Sequence, residues 1–179
     1  SGISDAQTIN MLNMQFTSKS SIWSSKCGIV SLNKDIILHK LALPDDLNGR
    51  IIMTKVTHSM EYFTPFYIFN IYGPATNTYA AKHSFYSHLS QIPILSQADI
   101  RDNMFILGDF NYAYTKRHQM AMVAEPWLEY IHSHFTDCIT EPFQQPIPTC
   151  YSGNGIPSTI DYVYIASNMA RKINKSLVK

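Results

Sequence analysis

The residues best placed to do chemistry stand where apolar runs give way to turns. Phe105-Ile106-Leu107-Gly108-Asp109-Phe110-Asn111 delivers a carboxylate and a carboxamide, two residues apart, to the end of a buried strand. Gly108 lets the backbone turn and a ligand come close. Asp109 can accept a proton from a nucleophilic water or stand beside a metal ion. Asn111 can donate hydrogen bonds to an anionic oxygen and accept one. The same residues also suit an Asx turn without any chemical role, since Asp and Asn are common turn formers. Asn70-Ile71-Tyr72-Gly73-Pro74 repeats the arrangement. Tyr72 can offer its hydroxyl to a phosphate oxygen while its ring packs on a sheet, although a lone tyrosine there is more often simply core edge. Ser158-Thr159-Ile160-Asp161-Tyr162-Val163-Tyr164-Ile165 sets Asp161 at the mouth of an apolar strand, able to orient a histidine or stabilise a cation. Taken singly it is a strand-entry turn.

Stretches rich in apolar, β-branched and aromatic residues predict the strands that must position these groups: Cys27 to Leu32, Ile36 to Leu41, Arg50 to Val56 and Phe66 to Tyr72. Asn33-Lys34-Asp35 and Asp45-Asp46-Leu47-Asn48-Gly49 read as turns between them, so the sheet opens with antiparallel hairpins. Ala81, Phe85, Leu89 and Ile92 share one helical face, closed by Pro93. Met104 to Leu107 reads as a buried strand, Glu125 to Phe135 as a second helix, and Thr149 to Ser152 and Ile160 to Ile165 as two further strands. Many strands with two or three helices predict an α+β or layered α/β/α domain.

The 179 residues are 45% apolar and 15% charged. That length favours one domain, with roughly 70% of the unfolded surface buried, and so low a charge argues against intrinsic disorder. The net charge of +1 singles out no partner class, and a local basic groove remains compatible with it. Cys27, Cys138 and Cys150 are odd in number and far apart, which fits reduced thiols rather than a disulfide framework or a metal pair. No apolar run approaches the ~20 residues of a bilayer span, and no signal peptide is evident. The expectation is an intracellular chain with no membrane partner. His83 and His88, and His132 and His134, lack the spacing of a helical zinc pair and read as surface or packing residues.

Taken together, the three strand-end motifs resemble the endonuclease/exonuclease/phosphatase superfamily, the deoxyribonuclease I-like fold. Lys26-Cys27-Gly28-Ile29-Val30-Ser31-Leu32 and Gly49-Arg50-Ile51-Ile52 look like its early strands, and Asn70 to Pro74 like its Asn-hydrophobic-Tyr-x-Pro strand end. Gly108-Asp109-Phe110-Asn111 matches its most specific motif. Thr149-Cys150-Tyr151-Ser152 and Ser158 to Tyr162 look like its Thr-containing strand and its Ser-x-Ile-Asp-Tyr segment. That last form, with the helix after the tyrosine strand, is most similar to the endonuclease domains of non-LTR retrotransposons.

The resemblance implies a four-layered α/β/β/α sandwich of two mixed, largely antiparallel sheets. It implies Mg²⁺-dependent hydrolysis of DNA phosphodiesters, with Mn²⁺ as the alternative ion. Asp109 would activate the water or handle the leaving oxygen. Asn111 and Tyr72 would hold the scissile phosphate, Asp161 would orient a catalytic histidine, and Thr149 and Ser158 would contact backbone phosphates. Asp109 or Asp161 would be the metal ligand. DNA would be the partner, with a reverse transcriptase domain in a longer parent polyprotein, and the nucleus the site of action on DNA.

Against the family pattern, residues 1–179 are expected to form a single domain incomplete at both ends. The N-terminal Asn- and Glu-bearing strands and the final Ser-Asp-His segment have no counterpart, and the last histidine is His134. Two alternatives follow. One is an inositol-phosphate or sphingolipid phosphoesterase, to which Gly-Asp-x-Asn-Tyr with Tyr112 is faintly similar, although inositol phosphatases carry Cys-Asp-Arg where this chain has Ile-Asp-Tyr. The other is a non-catalytic nucleic-acid-binding remnant, which the absent Glu and His motivate; the basic residues Arg171, Lys172, Lys175 and Lys179 could touch DNA, although four such charges are more often a solvated end.

Overall fold

The computed structural model describes residues 5–43, 47–76, 78–139, 147–151 and 155–170. Asp45 and Asp46 of the second predicted turn, Ser152, and the four basic residues after Ala170 lie outside the described residues. The chain forms two compact units, Ser1–Tyr72 and Gly73–Lys179.

The first unit is built from hairpins. Helix α1 (Ala6–Gln15) comes first, then strands β1 (Ser20–Trp23), β2 (Gly28–Ser31), β3 (Ile36–Lys40), β4 (Ile51–His58) and β5 (Phe66–Tyr72). β1 and β2 pair antiparallel, and β3-β4-β5 form an antiparallel set with β4 central. Its Ile-Ile-Met-Thr start is buried on both faces, as expected of a strand flanked on each side. Thr54, the one polar residue of that run, donates its hydroxyl to the His39 carbonyl at 3.0 Å. Ile22, Cys27 and Ile52 form a small apolar cluster against which Ile29, Leu38 and Tyr72 pack.

Both α1 and β1 escape a search for apolar periodicity, and for a physical reason. α1 buries none of its residues, so no stripe announces it. The Asp5 carboxylate begins it as an N-cap, accepting from the Thr8 N–H and the Thr8 hydroxyl at 2.7 Å each. β1 is half serine, and Trp23 ties it to α1 through Nε1, which donates to Asn13 Oδ1 at 2.9 Å.

In the second unit, helix α2 (Tyr79–Ser90) leads through a 3-10 turn at Pro93–Ser96 and a short α3 (Ala98–Arg101) to strand β6 (Met104–Asp109). After it come α4 (Arg117–Met120), α5 (Glu125–His134), β7 (Phe135–Asp137), the small hairpin of β8 (Cys150–Tyr151) and β9 (Pro157–Ser158), β10 (Asp161–Ala166) and α6 (Ser167–Ala170). β10 runs antiparallel to β6 on one side and to β7 on the other. The core here is aromatic. Phe110, Tyr86 and Trp127 are wholly buried, and Phe110 meets Tyr112, Tyr162 and Tyr164 edge-on at 5.5–5.8 Å between ring centres, the geometry that ring quadrupoles favour. The buried Tyr162 hydroxyl donates to the Thr159 carbonyl at 2.7 Å. The α+β class and the largely antiparallel pairing expected from the sequence are those of the structure.

One detail of α2 departs from the expected face. Ala81 is exposed, and Lys82 takes the inward position beside Phe85, Tyr86 and Leu89.

Candidate active site

β6 and β10 bring two carboxylates together. Asp109 ends the first strand, Asp161 begins the second, and they are direct partners in the ladder. The Phe110 N–H donates to the Ile160 carbonyl at 2.8 Å, so Asp109 and Asp161 form the adjacent non-hydrogen-bonded pair, in which opposing side chains approach most closely. In that pair type the backbone groups of both residues point away from the partner strand, and one group of each finds a partner outside it. The Asp109 carbonyl accepts from the Gly73 N–H at 2.7 Å. The Asp161 N–H donates to Thr149 Oγ1 at 3.2 Å. Like charges placed directly opposite destabilise a sheet.

Asn111 follows in a left-handed conformation, φ 52°. Its N–H donates to Asp109 Oδ1 at 2.9 Å, closing an Asx turn, and its carboxamide Nδ2 donates to the Gly73 carbonyl at 3.0 Å. Gly108, at φ 133°, supplies the backbone freedom just before the acid that a side chain would restrict. Burial raises the pKa of Asp109; the Asn111 N–H counters that, the Asp161 charge adds to it, and the ammonium of Lys82 opposes it. Lys82 itself is buried and donates to the Asn111 carbonyl. A half-buried acid with a perturbed pKa, faced by a second acid and flanked by an amide and an amine, is an arrangement found at reaction centres.

No family model matches the sequence, and no curated protein matches it. Solved structures match its backbone. The endonuclease domain of TRAS1, a telomere-specific non-LTR retrotransposon, superimposes with a TM-score of 0.56 at 11% identity, over 84% of this chain and 66% of that one. An endonuclease/exonuclease/phosphatase family protein from Bacteroides thetaiotaomicron gives 0.59 at 11% identity, over 90% and 66%. A mannosyl-6-phosphatase from the same organism gives 0.58 at 11%, over 90% and 67%. The chain has the endonuclease/exonuclease/phosphatase fold. It spans about two thirds of the length of these structures.

Within the second unit of this fold the sequence-predicted residues fall at one end of the β6–β10 pair. Asp109, Asn111 and Asp161 are joined there as described. Thr149 stands beside them, its hydroxyl accepting from the N–H groups of Ile160 and Asp161 at 3.1 and 3.2 Å, while its own N–H donates to the Ser158 carbonyl at 3.0 Å. Thr149 therefore builds the entry to β10. Ser158 Oγ receives the Lys116 amine. Tyr72 belongs to the first unit, where it ends β5. The Arg50 guanidinium lies 5.1 Å from its ring centre and donates to its carbonyl at 3.2 Å. Tyr112 is a core residue, 1% exposed, and burial pushes its hydroxyl pKa upward.

Three histidines of this endonuclease/exonuclease/phosphatase fold have partners close in sequence. His134 meets Tyr130 edge-on at 5.4 Å, His83 stacks on Tyr79 at 5.1 Å, and His88 Nδ1 hydrogen-bonds to the Ser84 carbonyl at 2.7 Å. The three cysteines form no disulfide with one another.

Sequence reasoning missed Lys82 and Lys116. For Lys82 the signal was available: it stands three residues before Phe85 and seven before Leu89, on the stripe of the helix that turns inward. For Lys116 there was none, because its contact with Ser158 joins positions 42 residues apart.

Proposed function

We propose that this chain is a divalent-metal-dependent phosphodiesterase acting on DNA, of the non-LTR retrotransposon endonuclease type. The observation that carries the reading is the facing pair Asp109–Asp161 with the Asn111 carboxamide turned beside it. Phosphoryl transfer asks for positioning and for neutralisation of oxygen charge more than for covalent chemistry, and these are the groups that supply it. The fold's likeness to a retrotransposon endonuclease domain and the Ser-x-Ile-Asp-Tyr form of residues 158–162 favour DNA as the substrate.

The donor set fits Mg²⁺. That ion is usually held by one or two carboxylates and completes its shell with water and phosphate oxygens. Asp109 and Asp161 would hold it, and their mutual repulsion is the field that a cation relieves. Among the described residues no third acidic, histidine or cysteine side chain joins them, so the remaining ligands would come from solvent and substrate. The bound ion would offset charge on the phosphate oxygens.

The chain's own residues would do the rest. Asn111 would donate through Nδ2 to a phosphate oxygen, exchanging its contact with Gly73 for one with substrate. Asp109 would take the proton of the attacking water or manage the leaving oxygen. Thr149 and Ser158 would meet neighbouring phosphates, with the Lys116 amine adding positive charge beside Ser158.

Nicking of supercoiled plasmid in Mg²⁺ tests this, with EDTA and with Asp109→Ala. The expected result is nicking by the wild type that both treatments abolish. Phosphate release from soluble inositol phosphates without nicking would instead establish a phosphatase. Salt-sensitive DNA binding without cleavage, unchanged in Asp109→Ala, would establish a non-catalytic nucleic-acid-binding protein.

A further inference from the structure

α2 turns Phe85, Tyr86 and Leu89 inward, and on the same face it buries a lysine. Lys82 is 4% exposed, a rare place for an ammonium group unless it is paired. Its partner is the backbone carbonyl of Asn111. That carbonyl belongs to the one non-glycine residue of the Gly-Asp-Phe-Asn turn held at positive φ, a conformation disfavoured for a residue with a side chain.

Three groups of Asn111 are each tied to a fixed partner. The N–H binds Asp109 Oδ1, Nδ2 binds the Gly73 carbonyl, and the carbonyl binds the Lys82 ammonium. Only the last partner is cationic. A buried charge is a poor source of stability, because taking it out of water costs about as much as its contacts return. A methionine would fill the same helix position without that cost. The charge is also close enough to Asp109 for each to act on the other: burial lowers the Lys82 pKa and the Asp109 carboxylate opposes that, while the Lys82 ammonium in turn favours the Asp109 carboxylate against its own burial.

We infer that Lys82 is a positioning residue for this site: through the Asn111 carbonyl it locks the turn in its left-handed form, and it fixes a positive charge beside Asp109. The inference rests on the phosphoester reading above. It assigns to α2 a part in aiming the carboxamide, in addition to its packing role. The charge complements an incoming phosphate, and the lock keeps Nδ2 from swinging as it exchanges the Gly73 carbonyl for substrate. Preorganised donors of this kind act on the transition state more than on ground-state binding.

The test compares the full chain with Lys82→Arg, Lys82→Gln and Lys82→Met, which keep charge and donor, donor only, and neither. The expected plasmid-nicking kcat follows the order Arg, Gln, Met. Lys82→Met should fall at least tenfold with KM changed less than threefold, and Lys82→Arg should stay within about threefold of wild type. In ¹H–¹⁵N NMR spectra the Asn111 backbone and side-chain amide signals should shift or broaden in Lys82→Met and hold their places in Lys82→Arg. Wild-type kcat in Lys82→Met would overturn the inference. So would equal losses in all three variants that track their melting temperatures, which would mark packing alone. If the wild-type chain does not nick DNA, the endonuclease reading falls, and the NMR comparison still decides the role of Lys82: unmoved Asn111 signals in Lys82→Met would overturn it.

Discussion

Asp109, the last residue of β6, and Asp161, the first of β10, face each other as a non-hydrogen-bonded ladder pair with their backbone groups anchored outward to Gly73 and Thr149. Two like charges at such a position work against the sheet. Natural sequences keep such conflicts chiefly where function demands them.

The first consequence is a trade between stability and activity at Asp109. Burial, with the Asp161 charge adding to it, raises this carboxyl above its ordinary value of 3.8. The folded chain therefore binds that proton more tightly than the unfolded chain. The sign follows from linkage: stability drops as pH rises through the carboxylate range and recovers as pH falls. Asp109→Asn removes the charge and keeps an oxygen to accept the Asn111 N–H. It should melt at or above the wild type at pH 7, with the difference closing toward pH 3, while nicking is lost. Thermal unfolding by circular dichroism at both pH values checks this, and a variant less stable than wild type at pH 7 would contradict it.

Thr149 distinguishes a structural from a substrate role. Its hydroxyl accepts from two consecutive N–H groups at the entry to β10. Thr149→Val should cost about 1 kcal/mol, the scale of a net hydrogen bond at a partly solvated site, and Thr149→Ser should restore it. If Thr149→Val weakens DNA binding and leaves the melting temperature unchanged, the hydroxyl serves substrate alone.

At Gly73 the space is already taken. A Cβ there would collide with the Phe110 carbonyl oxygen and the Tyr86 hydroxyl, which are themselves hydrogen-bonded to each other. Overpacking of this kind costs about 1–3 kcal/mol. Gly73→Ala should lower the urea midpoint accordingly and perturb Asn111, whose carboxamide leans on the Gly73 carbonyl. An unchanged midpoint would mean that the turn after β5 has room to move.

Phe110 sits between Asp109 and Asn111 in the chain, and its wholly buried ring touches Tyr112, Tyr162 and Tyr164. Phe110→Ala should cost about 3–5 kcal/mol and, by loosening the Asp109–Asn111 turn, abolish nicking even at temperatures where the variant remains folded. Retained activity in the folded variant would show that the Asx turn and Lys82 hold the site without the ring.

Much of this was legible in the one-dimensional pattern. Phe66–Tyr72 and Met104–Leu107 declare themselves as strands because apolar, β-branched and aromatic residues dominate them up to the turn formers that follow. The Gly-Asp-Phe-Asn turn follows from residue chemistry, since glycine, aspartate and asparagine each lower the cost of the bend. The elements that stayed hidden were those without an apolar stripe. α1 is held by its cap and buries nothing, β1 is half serine, and β7 is only three residues long.

The kinds of groups available and the strand ends that carry them follow from local residue order, because they depend on residues within a few positions of one another. Which of them meet is a matter of the fold. The register that sets Asp109 against Asp161, the placing of Thr149 at the Asp161 N–H, and the burial of Lys82 under Asn111 all join positions between 12 and 52 residues apart. Contacts at that range are set by ladder register and helix packing, and a shift of one residue in either would turn these side chains to other faces.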